Sequence, residues 1–258
     1  MTSNEPHIAV VGGTGLYRFF DGPTDERVVD TPYGPPSAPV SIGTVGETAV
    51  AFLPRHGRSH EFAPHTVPYR ANMWALHSLG VRKVLAPCAV GSLTTELPPG
   101  SIAVPDQLVD RTTSRVSTYF DGPAIHVGFA DPYCPGLRRA ALGTGAAEGG
   151  TMTVIEGPRF SSRAESRWYA AQGWSLLNMT GLPEAALARE LKLCYAAIAL
   201  VTDFDAGIEP GEGVQMADVL AEFGRHVDRL TAAVRTAVSA TDPEDGCLCA
   251  AGEQPRPA

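Results

Sequence analysis

Two carboxylates close an apolar run, and their type and spacing speak directly of chemistry. From Cys194 the chain reads Cys-Tyr-Ala-Ala-Ile-Ala-Leu-Val-Thr-Asp-Phe-Asp, so Asp203 and Asp205 follow small and apolar residues that begin at Ala196. Such a run reads as a buried strand of an α/β sheet, and ligands of such sheets sit at strand ends. Each acid, when ionised, can accept hydrogen bonds from an amino group. One of them, if protonated, can donate to a leaving group. A departing purine with a 6-amino group would need both. A plain strand-to-loop turn also favours Asp at these positions.

Other segments offer groups for an anion. Gly12-Gly-Thr-Gly15 follows an apolar run, and its backbone N–H groups and the Thr14 hydroxyl could cradle a phosphate. It is neither a dinucleotide fingerprint nor a Walker loop, and a tight turn would read the same way. Arg55-His56-Gly57 ends a further apolar run. The Arg55 fork matches phosphate oxygens and His56 can donate another bond. With Arg58, His60 and His65 nearby, the segment is locally basic in an acidic chain. In Asn178-Met179-Thr180, Thr180 could hold an anion, and Met179 could lie against a sugar or base or simply pack in the core. Glu156 and Arg159 flank Gly157-Pro158 as candidates for a structural ion pair. His126 stands between Ile125 and Val127.

The elements that must position these residues alternate in type. Strands are expected over His7–Val11, Ala49–Leu53, Lys83–Val90, Ile102–Val104, Thr151–Ile155 and Trp174–Met179, with the run from Cys194 as the last. Helices are expected over Tyr69–Leu79, Arg163–Ala171, Pro183–Leu193 and Met216–Ala240, the last with Val219, Leu220, Phe223, Val227, Leu230 and Val234 on one face. Alternation of this kind predicts an α/β fold, with one domain over 1–241 and a loose tail over 242–258 that holds three prolines and four acids.

Composition narrows the function classes. The 258 residues are 44% hydrophobic and 19% charged, which is ample for a core. A net charge of -8 with no basic run argues against a nucleic-acid surface. No stretch has the length of a membrane span. Met1 to Pro6 lacks the basic-then-apolar pattern of a secretory leader, so a cytoplasmic location is expected. The five cysteines, an odd number, do not suggest a disulfide framework. Cys247 and Cys249 could be half of a metal site, but no Cys or His stands beside them in sequence, so they read as free thiols. Neither a nucleophile elbow nor a zinc-binding His-Glu-x-x-His is present. A covalent nucleophile and a metal are therefore not expected.

Taken in order, the motifs resemble the methylthioadenosine phosphorylase branch of the trimeric purine nucleoside phosphorylases. The resemblance rests on Gly12–Leu16, Asp30-Thr-Pro-Tyr-Gly34, Arg55–Gly57, Ala71-Asn-Met-Trp-Ala75, Gly91-Ser-Leu93, Asp110-Arg-Thr112, Ile155–Glu165, Asn178–Thr180 and Thr202–Asp205. It spans nearly the whole chain from Ile8 to the terminal helix. It implies a single-domain purine nucleoside phosphorylase-like fold, with a mixed central β-sheet flanked by helices. It also implies phosphorolysis of a purine nucleoside, with inorganic phosphate as co-substrate and no cofactor. Phosphate would lie against Thr14, Arg55, His56, Thr180 and the Cys88–Ala89 backbone, and the ribose near Met179. His60 and Val219 would approach the 5′ end of the sugar, where a neighbouring subunit of a homotrimer would offer His126. Asp203 would protonate the base at N7 and Asp205 would read its 6-amino group. Ser161 and Met216 would bear on specificity. Relatives that cleave 6-oxopurine nucleosides usually carry Asn at the place of Asp203 and often Glu at the place of Ser161, so this chain points to adenine. Ala206-Gly207 is smaller than the pair common in animal enzymes. Methylthioadenosine is therefore the expected substrate, with methylthioinosine, 6-oxopurine nucleosides or other 5′-modified adenosines as the alternative.

Overall fold

A computed structural model describes residues 5–122, 125–211, 213–243, 246, 247 and 249. Its centre is an 11-stranded mixed sheet. In chain order the strands are β1 (Ile8–Gly12), β2 (Asp25–Arg27), β3 (Val40–Val45), β4 (Thr48–Pro54), β5 (Lys83–Ser92), β6 (Ile102–Val104), β7 (Gln107–Arg111), β8 (Ala147–Glu148), β9 (Thr151–Ile155), β10 (Leu176–Asn178) and β11 (Cys194–Phe204). The helices are α1 (Tyr69–Ser78), α2 (Pro135–Leu142), α3 (Arg163–Ala171), α4 (Gly181–Glu190) and α5 (Met216–Ser239). All the strands and helices expected from periodicity are present, with ends shifted by a few residues. Short, exposed β2 and β8 and the half-exposed β3 and β7 carry no long apolar run, and α2 spans barely two turns. Those elements are legible only from their partners.

Strand alternation splits the apolar residues between two faces. Ala9, Val11, Val84, Ala86, Ala197 and Ala199 pack under α1 and α4, with Met73, Leu76, Ala185 and Leu187 above them. Ile8, Val10, Leu85, Ala196, Ile198 and Leu200 face the other way, toward Leu137 of α2 and Phe223, Leu230 and Val234 of α5. Three layers result, with β5 and β11 buried on both sides at the centre.

The ladder of β5 explains where the sheet opens. Parallel β11 pairs one edge of β5 along its whole length, from Lys83 to Ser92. The other edge is shared: β1 pairs Lys83 to Leu85, and antiparallel β10 pairs Gly91 and Ser92. Between them this edge has no ladder partner, and Cys88 and Ala89 lie in that gap. Pro87 turns its carbonyl to the gap, where Arg55 Nη1 donates to it at 3.3 Å, so its missing N–H costs no ladder bond.

Of the segment expected to be a loose tail, residues 244, 245, 248 and 250–258 lie outside the described residues. Its described part is held: Lys83 Nζ donates to the Asp242 carbonyl, and Cys247 and Cys249 pack against the core under α2 and α5. The two are free thiols, as expected, but folding brings the free thiols of Cys134 and Cys194 to them, which sequence spacing did not disclose. Glu156 and Arg159 each enter a structural ion pair, with different partners. Glu156 bonds Thr113, Ser114 and Arg115, whereas Arg159 forks onto Glu165.

Candidate active site

A cavity of about 330 Å³ opens at the gap in the sheet. Thr14, Arg55, His56, His60, Cys88, Ala89, Met179, Thr180, Asp203, Asp205, Met216 and Val219 all line it. These residues come from six places in the chain, so the fold gathers nearly every sequence-predicted group into one site. Ser161 and His126 are the exceptions. Ser161 stands buried beside Asp205, where its hydroxyl opposes the upward shift of that carboxyl. His126 is exposed in the segment between β7 and α2, outside the cavity.

At one end the groups suit an anion. The turn after β1, closed by Leu16 N–H donating to Gly13 O at 3.0 Å, presents Thr14. Arg55 follows β4 and is almost wholly buried. Its fork is occupied from inside the protein: Nε and Nη2 donate to Glu184 at 2.7 and 2.8 Å, and Nη2 also reaches Val11 O. Burial alone would lower the guanidinium pKa, but the Glu184 carboxylate outweighs it and the shift is upward. With Nη1 also on Pro87, a single N–H remains for a ligand. The expected two-pronged phosphate clamp is thus corrected to a fixed point charge. Glu184 itself escaped sequence reading. Its signal was an acid inside the apolar stretch Gly181-Leu-Pro-Glu-Ala-Ala-Leu-Ala, a helix that must bury that face.

His56 is corrected in the same way. Its Nδ1 lies 2.8 Å from the Phe62 carbonyl, so Nδ1 carries the proton and donates. Burial, and then the charge of Arg55, push its pKa down to about 3. The neutral ring offers Nε2 as an acceptor, not the donor expected from its type. It stacks on His60 with centroids 4.4 Å apart, and Tyr17 O–H meets His60 Nδ1 at 3.0 Å.

Thr180 caps α4 after β10. One side chain shapes that turn: Asn178 Oδ1 accepts from Thr180 N at 2.7 Å and from Gly181 N at 2.6 Å. Asn178 Nδ2 reaches across the sheet gap to Ala89 O at 3.2 Å. Asn178 is therefore the brace between the two halves of the anion end, a role that its place in the sequence motif did not disclose. The Cys88 thiol is pushed up to about 12 by burial, which leaves it protonated and unsuited to attack.

The two acids sit at the opposite end, where β11 leaves the sheet. Burial, opposed by the Thr202 hydroxyl at 2.8 Å and reinforced by Asp205, raises Asp203 to about 7. Asp205 is also raised by burial, and the Ser166 hydroxyl donates to its Oδ2 at 2.5 Å. Two neighbouring carboxyls thus differ in environment, which is the condition for separate acid and acceptor roles. Gly91 makes the arrangement possible. A Cβ there would stand 3.0 Å from Asp203 Oδ1 and 3.3 Å from the Asp205 Cβ. Between the two ends, Met179, Phe160 and Pro158 form an apolar wall, and Met216 and Val219 from the start of α5 border the cavity.

Comparison with known proteins agrees with this geometry. Residues 7–239 match the model of the phosphorylase superfamily. The S-methyl-5'-thioadenosine phosphorylase of Mycolicibacterium smegmatis is 64% identical over 241 residues, 93% of each chain. A purine nucleoside phosphorylase of Streptomyces coelicolor is 54% identical, covering 95% of this chain and 93% of that one. Among solved structures, methylthioadenosine phosphorylase from Schistosoma mansoni in complex with adenine superposes with a TM-score of 0.87 at 34% identity, covering 92% of this chain and 93% of that one. The fold, the gathered site and these similarities together place the chain in the phosphorylase superfamily, in its methylthioadenosine phosphorylase branch.

Proposed function

We propose that the protein cleaves S-methyl-5'-thioadenosine with inorganic phosphate, releasing adenine and S-methyl-5-thio-α-D-ribose 1-phosphate for purine and methionine salvage. It is a pentosyltransferase that needs no cofactor. The observation that carries this reading is Asp203, a half-buried acid raised to about 7, in one cavity with the anion groups Thr14, Arg55, Cys88–Ala89 and Thr180.

In the proposed mechanism the C1′–N9 bond breaks through a cation-like sugar. A phosphate oxygen, held by the remaining Arg55 N–H, the Thr14 and Thr180 hydroxyls and the β5 edge, forms the new bond to C1′. Neutral His56 accepts from the P–OH of hydrogen phosphate through Nε2, which fixes the orientation of the nucleophile. The electron pair of the broken bond passes into the purine, and Asp203 donates its proton to N7. Asp205 accepts from the 6-amino group. The Ser166 hydroxyl donates to one of its oxygens and holds the carboxyl in place. The sugar lies on Met179, and the methylthio group is directed to His60, Val219 and Met216, with His126 of a neighbouring subunit of a homotrimer closing that end. The cytoplasm is the proposed location, with no membrane or nucleic-acid partner. No described helix is long and apolar enough to cross a membrane.

The test is base release from methylthioadenosine, methylthioinosine, adenosine and inosine, each with and without phosphate. Phosphate-dependent release of adenine, fastest from methylthioadenosine, is expected. Release without phosphate would reject phosphorolysis, and faster cleavage of the inosine analogues would reject the reading of the base.

A further inference from the structure

Far from the cavity, four cysteines from three parts of the chain converge. Cys134 precedes α2, Cys194 opens β11, and Cys247 and Cys249 lie beyond α5. All four Sγ atoms fall within 4.8 Å of one another, with Cys134 to Cys247 at 3.5 Å and Cys247 to Cys249 at 3.2 Å. Among the described residues no other group of three or more cysteine, histidine or acidic side chains converges in this way. We propose that Cys134, Cys194, Cys247 and Cys249 form a four-thiolate site for one zinc ion that clasps the chain beyond α5 to the sheet.

The geometry favours a metal over cross-links. Zinc held by four thiolates at about 2.3 Å sets the sulfurs of a regular tetrahedron about 3.8 Å apart, close to the separations here. Two disulfides would need only two close pairs, each at about 2 Å, with no call for all four sulfurs to meet. The ligand set is also chemically uniform, and four sulfurs in a compact tetrahedral group select zinc over the oxygen-loving cations.

The surroundings are built for such a site. Cys134 and Cys194 are buried, and their backbones are fixed: Cys134 N–H donates to Tyr195 O at 2.7 Å, and Cys194 N–H to Arg82 O at 2.9 Å. Four thiolates around a divalent cation leave two negative charges. The N-terminus of α2, which Cys134 caps, offers positive potential there. Lys83, the ladder partner of Cys194, adds a cation whose Nζ bonds the Asp242 carbonyl in the same segment. Cys249 N–H points at Cys247 Sγ at 3.5 Å. Cys194 and Asp203 lie nine residue steps apart along β11, about 30 Å at the rise of an extended strand. The site is therefore structural: it closes the loop made by β11 and α5, and it anchors the far end of the helix whose start borders the cavity.

The experiment uses the full chain purified anaerobically with a reductant. Elemental analysis is expected to give one zinc per chain, and a strong chelator should lower the thermal midpoint, which added zinc should restore. In Cys247→Ser and in Cys249→Ser, zinc should fall to background. Because either variant could fail to fold, the unaltered chain is also reconstituted with cobalt(II), which should give the intense visible bands of a tetrahedral tetrathiolate centre. Absence of stoichiometric zinc after exposure to excess metal would overturn the proposal. So would an octahedral cobalt spectrum, or disulfides among these cysteines in freshly isolated protein by mass spectrometry.

Discussion

In the proposed mechanism Asp203 is the residue on which the chemistry turns. A carboxyl with an ordinary pKa would be ionised at neutral pH and could not donate. Burial at the end of β11 supplies the shift, and Asp205 adds to it. The expected consequence is that kcat/KM falls as pH rises through about 7, where Asp203 loses its proton. Stability follows the same sign. The folded pKa lies above the ordinary 3.8, so the folded protein holds a proton that the unfolded chain has lost across that window. The stabilisation is complete below about 3.8 and is lost as pH climbs to about 7. Asp203→Asn should flatten this slope in denaturant titrations. It should also lower kcat/KM on methylthioadenosine by about 10²–10⁴, and by far less on an oxopurine analogue. Equal losses on both would show that Asp203 does not read the base. The two acids were legible in the sequence because they end an apolar run. Their unequal environments were not, since Thr202, Ser166 and Gly91 act on them from three elements.

At the scale of elements, the site depends on groups that touch no ligand. Glu184 of α4 neutralises Arg55 inside the protein and accepts from Tyr195 O–H at 2.8 Å. Glu184→Ala leaves that cation uncompensated and should cost about 3–5 kcal/mol in unfolding free energy. It should also raise the phosphate KM, because the guanidinium would lose its fixed position. A loss of less than about 1 kcal/mol, the size of a surface pair, would refute the buried-pair account. Gly91 of β5 is the second such position. Gly91→Ala should leave the fold intact, because the strand needs no left-handed backbone there, yet the new methyl group would push on both acids. A displacement of about 1 Å is worth about 10²-fold in rate, so kcat should drop by that order while circular dichroism is unchanged. Wild-type kcat in this variant would mean that the acids have room to spare. Periodicity located α4 and β5 correctly, but it could not reveal that α4 carries a counter-ion or that β5 has a bare edge. Both depend on which strand lies alongside.

At the scale of the whole molecule, one chain leaves a predicted group unused. His126 is exposed beside the exposed Ile125, and Met216 and Leu220 near the cavity mouth are exposed as well. A second subunit covering these apolar side chains would also deliver the histidine. The proposed homotrimer predicts a sedimentation mass of three chains. His126→Ala should raise the nucleoside KM and leave the phosphate KM unchanged; a fully active monomer would exclude a shared site. The sequence by itself determined the layered α/β fold, because alternating runs with two periods can bury their faces in few ways. It also supplied the residue types proposed to attend the anion and the base, because those types stand in an ordered set of motifs. Only the tertiary structure decided how they act. It closed the Arg55 fork on Glu184, turned His56 into an acceptor through Phe62, and opened the sheet between β1 and β10. It also drew four scattered cysteines to one point. The Arg55–Glu184 pair, the open sheet edge and the cysteine cluster depend on segments far apart in the chain, set by strand register and helix packing, and His56 meets Phe62 only through the turn folded between them, so none of the four is written in local spacing.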